Sequence, residues 1–444
     1  MPTRSQPRIK LGALLGRPAG QGTIWESNLT TIAALVFGSD VPVTRTEVMA
    51  ASGLARATVS RIVDDLIEAR IVMELPPRRE GSIGRPVVPL VPAGNGIISL
   101  GLEINTASFG ACVVDLAGAV LGVQVVEGDF LESDPEWALE QVKQLGDDLL
   151  NGFDGPEYEL AGVHLSLSAA LDPETGIVLG TSMPQWQGVE PLALLSPARY
   201  FDVKQIHLGS TRTMAVVPEA ALRFSDVGSG TFLYVAGDNF MGCTLVINGE
   251  PLSTGDWSGN IGHVAIEPEG PLCRCGARGC LDTYVGRQYL MKRAGLDPST
   301  SIAQAVKEAA ESGCPGFFEA ARHAGDALGI ALANYVNVLQ VDTIVLGDGL
   351  AELFPLIARS VEEQLERRLW GEGRRFPRLE VSRTTWHAAM VGGALWVLQD
   401  LISNLPRRMG GSAIPIMPAR SSATVPAAIH GESSSRHKAR ILAR

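Results

Sequence analysis

Apolar residues recur at helical spacing from about Asn28, where Leu29, Ile32, Ala33, Leu35 and Val36 line one stripe that Pro42 interrupts. Thr44 precedes Glu47 by three positions, the spacing of a capping box, and predicts a second short helix through Val48, Met49 and Ala51. Gly53 marks a turn. A third helix is expected over residues 55–69, with Val59, Ile62, Val63, Leu66 and Ile67 facing inward. From Val72 to Val91 the pattern changes to short extended pieces around a tip rich in Pro, Arg and Gly. Three helices and a hairpin over residues 25–92 have the layout of a winged helix-turn-helix.

A different texture follows. Residues 97–103 read as a strand, and residues 110–126 as one or two more, joined through Asp115 and Gly118. A helix is expected over 135–150 and a strand over 160–166. The strand–turn–strand pattern then returns at 230–236 and 243–247, and a buried strand over 341–346 ends in Gly347-Asp348-Gly349 before a helix. Two such units predict an α/β body of two related lobes over residues 96–405. Residues 1–24 lack periodicity and read as a flexible lead, and the Ser-, Pro-, Ala- and Arg-rich residues 406–444 as a disordered basic tail.

Composition narrows the class. Of 444 residues, 45% are hydrophobic and 19% charged, which excludes a mainly disordered or collagen-like chain. No apolar run is long enough to span a bilayer, and the start lacks the apolar block of a signal peptide, so a cytoplasmic protein with no membrane partner is expected. The net charge of −11 is uneven: +3 over residues 1–90, −20 over 91–405 and +6 over 406–444. An acidic body repels nucleic acid, so any DNA contact must sit in a locally basic part.

The third helix supplies that part. As the second helix of a helix-turn-helix it would lie in the major groove, with Arg56, Ala57, Thr58, Ser60 and Arg61 toward the bases. Arginine pairs bidentately with guanine, Ser and Thr donate to bases or phosphates, and an alanine methyl suits a thymine methyl. Arg78, Arg79 and Arg85 would put cations on the wing, although a Gly-rich segment such as 81–86 can also be a plain hairpin turn.

Three of six cysteines fall within eight residues, Cys273, Cys275 and Cys280, whereas Cys112, Cys243 and Cys314 are isolated. So few cysteines make no disulfide scaffold, and Cys112 and Cys243 read as core fillers. With His263 the cluster offers three thiolates and an imidazole in eighteen positions, a donor set for tetrahedral, structural Zn2+; the plainer alternative is a reduced surface loop.

The stretch Ala57-Thr58-Val59-Ser60-Arg61, the Gly84-Arg85-Pro86 wing and the run from Gly262-His263 through Cys273-Arg274-Cys275-Gly276-Ala277-Arg278-Gly279-Cys280-Leu281-Asp282 resemble the ROK family of repressors, open reading frames and sugar kinases. The helix-turn-helix places the resemblance in the regulator branch. It implies an actin-like, ribonuclease-H-like body, a homodimer or homotetramer, zinc at the four ligands above, double-stranded operator DNA as partner and a sugar or sugar derivative as effector. It also implies that Asn260, His263 and Asp282 hold that effector.

Against the kinase pattern of the same family, catalytic parts are missing. Glu103-Ile104-Asn105-Thr106-Ala107 stands where kinases carry Asp-x-Gly-Gly-Thr, and residues 237–242 stand where they carry Gly-Thr-Gly-x-Gly. Gly209-Ser210 replaces the catalytic Asn-Asp pair, and serine is no general base without an activating partner. The nearby His207 reads as a packed or solvated side chain. The expectation is a transcriptional repressor with no catalytic residue; the alternatives are an ATP-dependent sugar kinase carrying a DNA-binding head, and a head that binds protein.

Overall fold

The computed structural model describes residues 24–409 except 40, 79–86, 95, 225–230, 253–258, 299, 372–374 and 385–386. Helix α1 (Ile24–Phe37) buries Leu29, Ile32, Ala33, Val36 and Phe37. Strand β1 (Val43–Thr44) enters α2 (Arg45–Ser52) through the expected capping box. Thr44 Oγ1 accepts from the Glu47 amide at 3.2 Å, and the Glu47 carboxylate accepts from the Thr44 amide at 2.7 Å. Gly53 ends α2 at φ +69°, a conformation that strains residues with a side chain.

Helix α3 (Arg56–Glu68) buries Val59, Ile62, Val63 and Leu66 and half-buries Ile67. Strands β2 (Val72–Glu74) and β3 (Pro89–Pro92) pair antiparallel, and β1 joins the other edge of β3. The hairpin tip, with Arg79 and Arg85, lies outside the described residues, as does the lead apart from Ile24.

The body repeats one topology. Strands β4 (Ile97–Ile104), β5 (Ser108–Asp115) and β6 (Val120–Glu127) form an antiparallel meander. Helix α4 (Pro135–Leu150) follows. Strands β7 (Glu159–Leu167) and β8 (Ile206–Ser210) then add parallel on the far side of β4, giving the order β8-β7-β4-β5-β6. Helix α5 (Thr211–Phe224) leads to the second lobe.

There β9 (Phe232–Ala236), β10 (Gly242–Ile247) and β11 (Glu250–Pro251) form the meander. Helix α6 (Pro315–Val338), β12 (Thr343–Leu346), α7 (Asp348–Arg368) and β13 (Arg378–Val381) complete the sheet β11-β10-β9-β12-β13. Both sheets thus run meander first, then two parallel strands beyond strand one, which is why the strand–turn–strand signal recurs in the sequence. Every residue of β4 and β5 is buried, as expected of strands covered on both faces.

The chain closes through α8 (Ala388–Ser403) and α9 (Leu405–Met409). The expected tail boundary at 406 is therefore corrected: residues 406–409 are helical. Leu405 is fully buried, Met409 packs on the core and Arg408 pairs with Glu159, so burial and an ion pair order this turn. One continuous apolar cluster joins Leu29, Ile62 and Leu90 at the amino-terminal end to Ile97, Met214, Leu395 and Leu405 of the body. A second cluster fills the carboxy-terminal lobe, and a third the α4 face of the first sheet.

Candidate functional site

Helix α3 presents two faces. Val59, Ile62, Val63 and Leu66 are buried, while Arg56, Ala57 and Arg61 are exposed and Thr58 and Ser60 half-buried. Arg45 fixes its pose: Nη1 donates to Ser60 O at 3.1 Å, and Nη2 lies 2.8 Å from Asp64 and 2.9 Å from Glu74. Sequence reading missed Arg45, because its partners stand 19 and 29 positions away and no local spacing signals them. Arg78 is exposed and bridges to Val87 at the base of the hairpin.

His263, Cys273, Cys275 and Cys280 converge: one ligand atom from each lies within 4.8 Å of all the others. Cys273 Sγ is 3.8 Å from His263 Nδ1, and Cys275 Sγ is 3.7 Å from Cys280 Sγ. Backbone pairing of Ala265 with Cys280 brings the histidine beside the last cysteine, and a turn from Cys273 to Ala277 folds the middle ligands back. Gly279 makes this possible: its φ is +67°, and a methyl group on its Cα would lie only 1.6 Å from Glu267 O. The soft donor set and its mutual approach fit one tetrahedral metal ion.

A cleft of about 1120 Å³ lies between the lobes. Asn260, His263 and Asp282, the three expected effector contacts, all line it. Their free valences are partly spent: Asn260 Oδ1 accepts from Arg212, and Asp282 Oδ1 accepts from the Met241 amide at 2.8 Å. Burial pushes the Asp282 carboxyl up to about 7. At the first loop of the cleft, Asn105 Oδ1 accepts from the backbone amides of Ala107 and Ser108, both at 2.8 Å. At the second, Asp238 is neutralised by Arg287, Nε to Oδ2 2.7 Å, rather than left as bare charge.

Ser210 ends β8 and its Oγ accepts from the Arg212 amide at 3.3 Å. His207 packs on the Trp396 ring, centroids 4.9 Å apart, which is the packed side chain anticipated. Sequence reading missed two cleft groups, Glu103 as a buried carboxyl and Arg287. Burial, and then the neighbouring Asp348, push Glu103 up to about 7 against the lowering hydrogen bond from Asn105.

Two like lobes around a cleft, with an attached group of three helices and a small sheet, define a protein of the actin-like sugar-kinase fold. The chain belongs to the ROK family, whose sequence pattern matches residues 99–400. A xylose repressor of Bacillus spizizenii is 23% identical over 331 residues, 74% of this chain and 84% of that protein. A glucokinase of Thermotoga maritima is 24% identical over 286 residues, 60% of this chain and 86% of that protein. The crystal structure of a ROK family transcriptional regulator, a homolog of the Escherichia coli MLC protein, superposes with a TM-score of 0.68. That match covers 87% of this chain and 98% of that one at 21% identity. Among the described residues no helix is long and apolar enough to cross a membrane.

Proposed function

We propose that this protein is a cytoplasmic, sequence-specific DNA-binding repressor whose sugar-kinase-like body senses a ligand without phosphorylating it. The amino-terminal unit over residues 25–92 acts as a winged helix-turn-helix, with α3 in the major groove and Arg78, Arg79 and Arg85 on the backbone or minor groove. The observation that carries this reading is α3 itself: its apolar side is sealed into the core while Arg56, Ala57 and Arg61 face solvent on the other. Similarity to a xylose repressor over most of both chains supports it.

The cleft argues against phosphoryl transfer, which depends almost wholly on positioning and charge stabilisation. Asn105 consumes two amides that a phosphate would need, Asp282 consumes the Met241 amide, and Ser210 has no carboxylate character. Asn260, His263 and Asp282 remain as the sugar-side contacts of an effector. The Cys3His cluster holds structural zinc, which ties the 263–280 loop to one point beside the cleft. The body also pairs two copies, so that two heads meet a palindromic operator.

The test is a mobility shift of the purified full chain on its own promoter DNA across a salt series. Saturable, competitor-resistant binding that weakens steeply with salt supports the reading. Indifference to promoter DNA at low salt sinks it.

A further inference from the structure

We propose that Arg70 latches the amino-terminal head to the body and fixes the angle at which the head is carried; its consequence for operator binding rests on the regulator reading above. Arg70 follows Ala69, the cap of α3, and sits at φ +57°. Its amide donates to Ile67 O at 3.0 Å and the next amide, of Ile71, to Leu66 O at 2.9 Å, the paired turn that ends a helix on a left-handed residue. Glycine fills such a position at no steric cost, whereas a Cβ strains it. A long cation held there points to a use beyond ending the helix.

That use lies across the domain boundary. Arg70 Nη1 donates to Glu157 O at 3.0 Å, and Nη2 lies 4.0 Å from Glu159. Both partners belong to the body: Glu159 opens β7, and Glu157 stands two residues before it. Arg408 of α9 pairs with the same Glu159 carboxylate. One body residue thus receives a cation from the head and another from the helix that closes the chain.

The contact supplies what the apolar seat lacks. Helix α1 packs on α8 and α9 within the shared cluster that holds Leu29 and Leu405. Hydrophobic contact is non-directional, so it keeps the head on the body without fixing its rotation. The covalent link runs through Gly94 and Gly96, which restrict the backbone little. An oriented hydrogen bond and ion pair at a second point stop that rotation. The Arg70 and Glu159 side chains are 50% and 43% exposed, so the pair adds little to stability and acts on orientation.

Glu159 is also where two elements from the cleft meet. Ser168, just past the far end of β7, lines the cleft, as do His387 and Ala389 at the start of α8. Ser166 Oγ donates to Ala389 O at 3.2 Å and ties the two elements together there. From that point β7, about 30 Å of strand, and α8, about 24 Å of helix, run back toward the head. The Glu159–Arg408 pair rejoins them. A shift of either element at the cleft therefore reaches Arg70 through one carboxylate.

Hydrogen exchange of the full chain, read by mass spectrometry, tests the latch without DNA. The Ala93 and Glu159 amides bond Ile71 O and Gly96 O at the junction. In Arg70→Gly both are expected to exchange about two- to fivefold faster, the scale of an exposed ionic contact. Amides of α3 should keep native rates, and the melting temperature should not fall, because glycine accepts φ +57° freely. Glu159→Gln should loosen the same amides from the body side, and it decides the matter if Arg70→Gly does not fold. With DNA, Arg70→Gly should discriminate less between the operator and a duplex whose half-sites are moved apart by half a turn, about five base pairs.

Native exchange at Ala93 and Glu159 in the folded variants, or a rise that α3 shares equally, overturns the latch. A loosened junction with unchanged discrimination of half-site spacing overturns its role in aiming the head. A chain whose junction loosens as expected but which ignores promoter DNA sinks the regulator reading and leaves the latch standing.

Discussion

Asn105 Oδ1 sits 2.8 Å from the backbone nitrogen of Ala107, and at the same distance from that of Ser108, so one side chain closes the first cleft loop on itself. Both amides are thus already satisfied within the chain. ATP with Mg2+ is therefore expected to give no ADP above background with glucose, xylose or glucosamine in a coupled assay. Turnover that disappears in Ser210→Ala would show the opposite, that the cleft still performs phosphoryl transfer.

The exposed side of α3 makes a separable prediction. Arg56→Ala and Arg61→Ala should each weaken operator binding by about 1–3 kcal/mol if they pair with bases, and relax sequence preference at one position. If either meets only phosphate, the loss is uniform across sequences and the salt dependence drops by about one ion. Fluorescence anisotropy on operator and scrambled duplexes separates the two. Unchanged affinity in both variants would remove α3 from the interface.

Metal content tests the Cys3His loop. Elemental analysis of the purified chain is expected to find one zinc per molecule, lost in Cys275→Ser and in Gly279→Ala. The glycine change acts through backbone alone: φ is +67° and the added methyl would overlap Glu267 O, so the loop cannot close around its ligands. Both variants should melt at lower temperature, and an EDTA-treated native chain should match them. A zinc-free native protein of unchanged stability would discard the site.

Stability should fall as pH rises through neutrality. Glu103 has its ordinary value near 4.5 when unfolded and about 7 when folded, chiefly because it is buried. A group whose folded value is raised favours the folded state fully below about pH 4.5, and that advantage is lost as pH climbs through about 7. Asp348, at about 6, and Glu352, at about 7, act in the same direction. Glu103→Gln should flatten the slope between pH 5 and 8 by a few kcal/mol at most, read from urea midpoints. A slope unchanged in that variant would place the dependence elsewhere.

The sequence made local devices legible. Thr44 and Glu47 stand three apart, Gly53 follows one helix, and His263 to Cys280 spans eighteen positions, so each could be recognised without knowing the fold. The recurring meander also foretold two similar lobes. What stayed hidden depends on distant partners: Arg45 with Asp64 and Glu74, Arg287 with Asp238, Glu103 facing Asp348 across the cleft. The helix over residues 405–409 was hidden for the same reason, since its ordering comes from Glu159 and the core rather than from its own Pro- and Arg-rich composition.

The apolar cluster shared by α1 and the body's final helices limits how this architecture can be rearranged. Leu29 and Ile32 are fully buried in the same mass as Leu395 and Leu405, so cutting the chain between head and body strips both halves of their cover. Grafting a foreign reading head onto this scaffold therefore demands that α1 travel with the surface that seats it. Recombination by simple exchange at the junction near residue 95 leaves an oily wound on each product, and such hybrids are expected to aggregate unless the seam is redesigned.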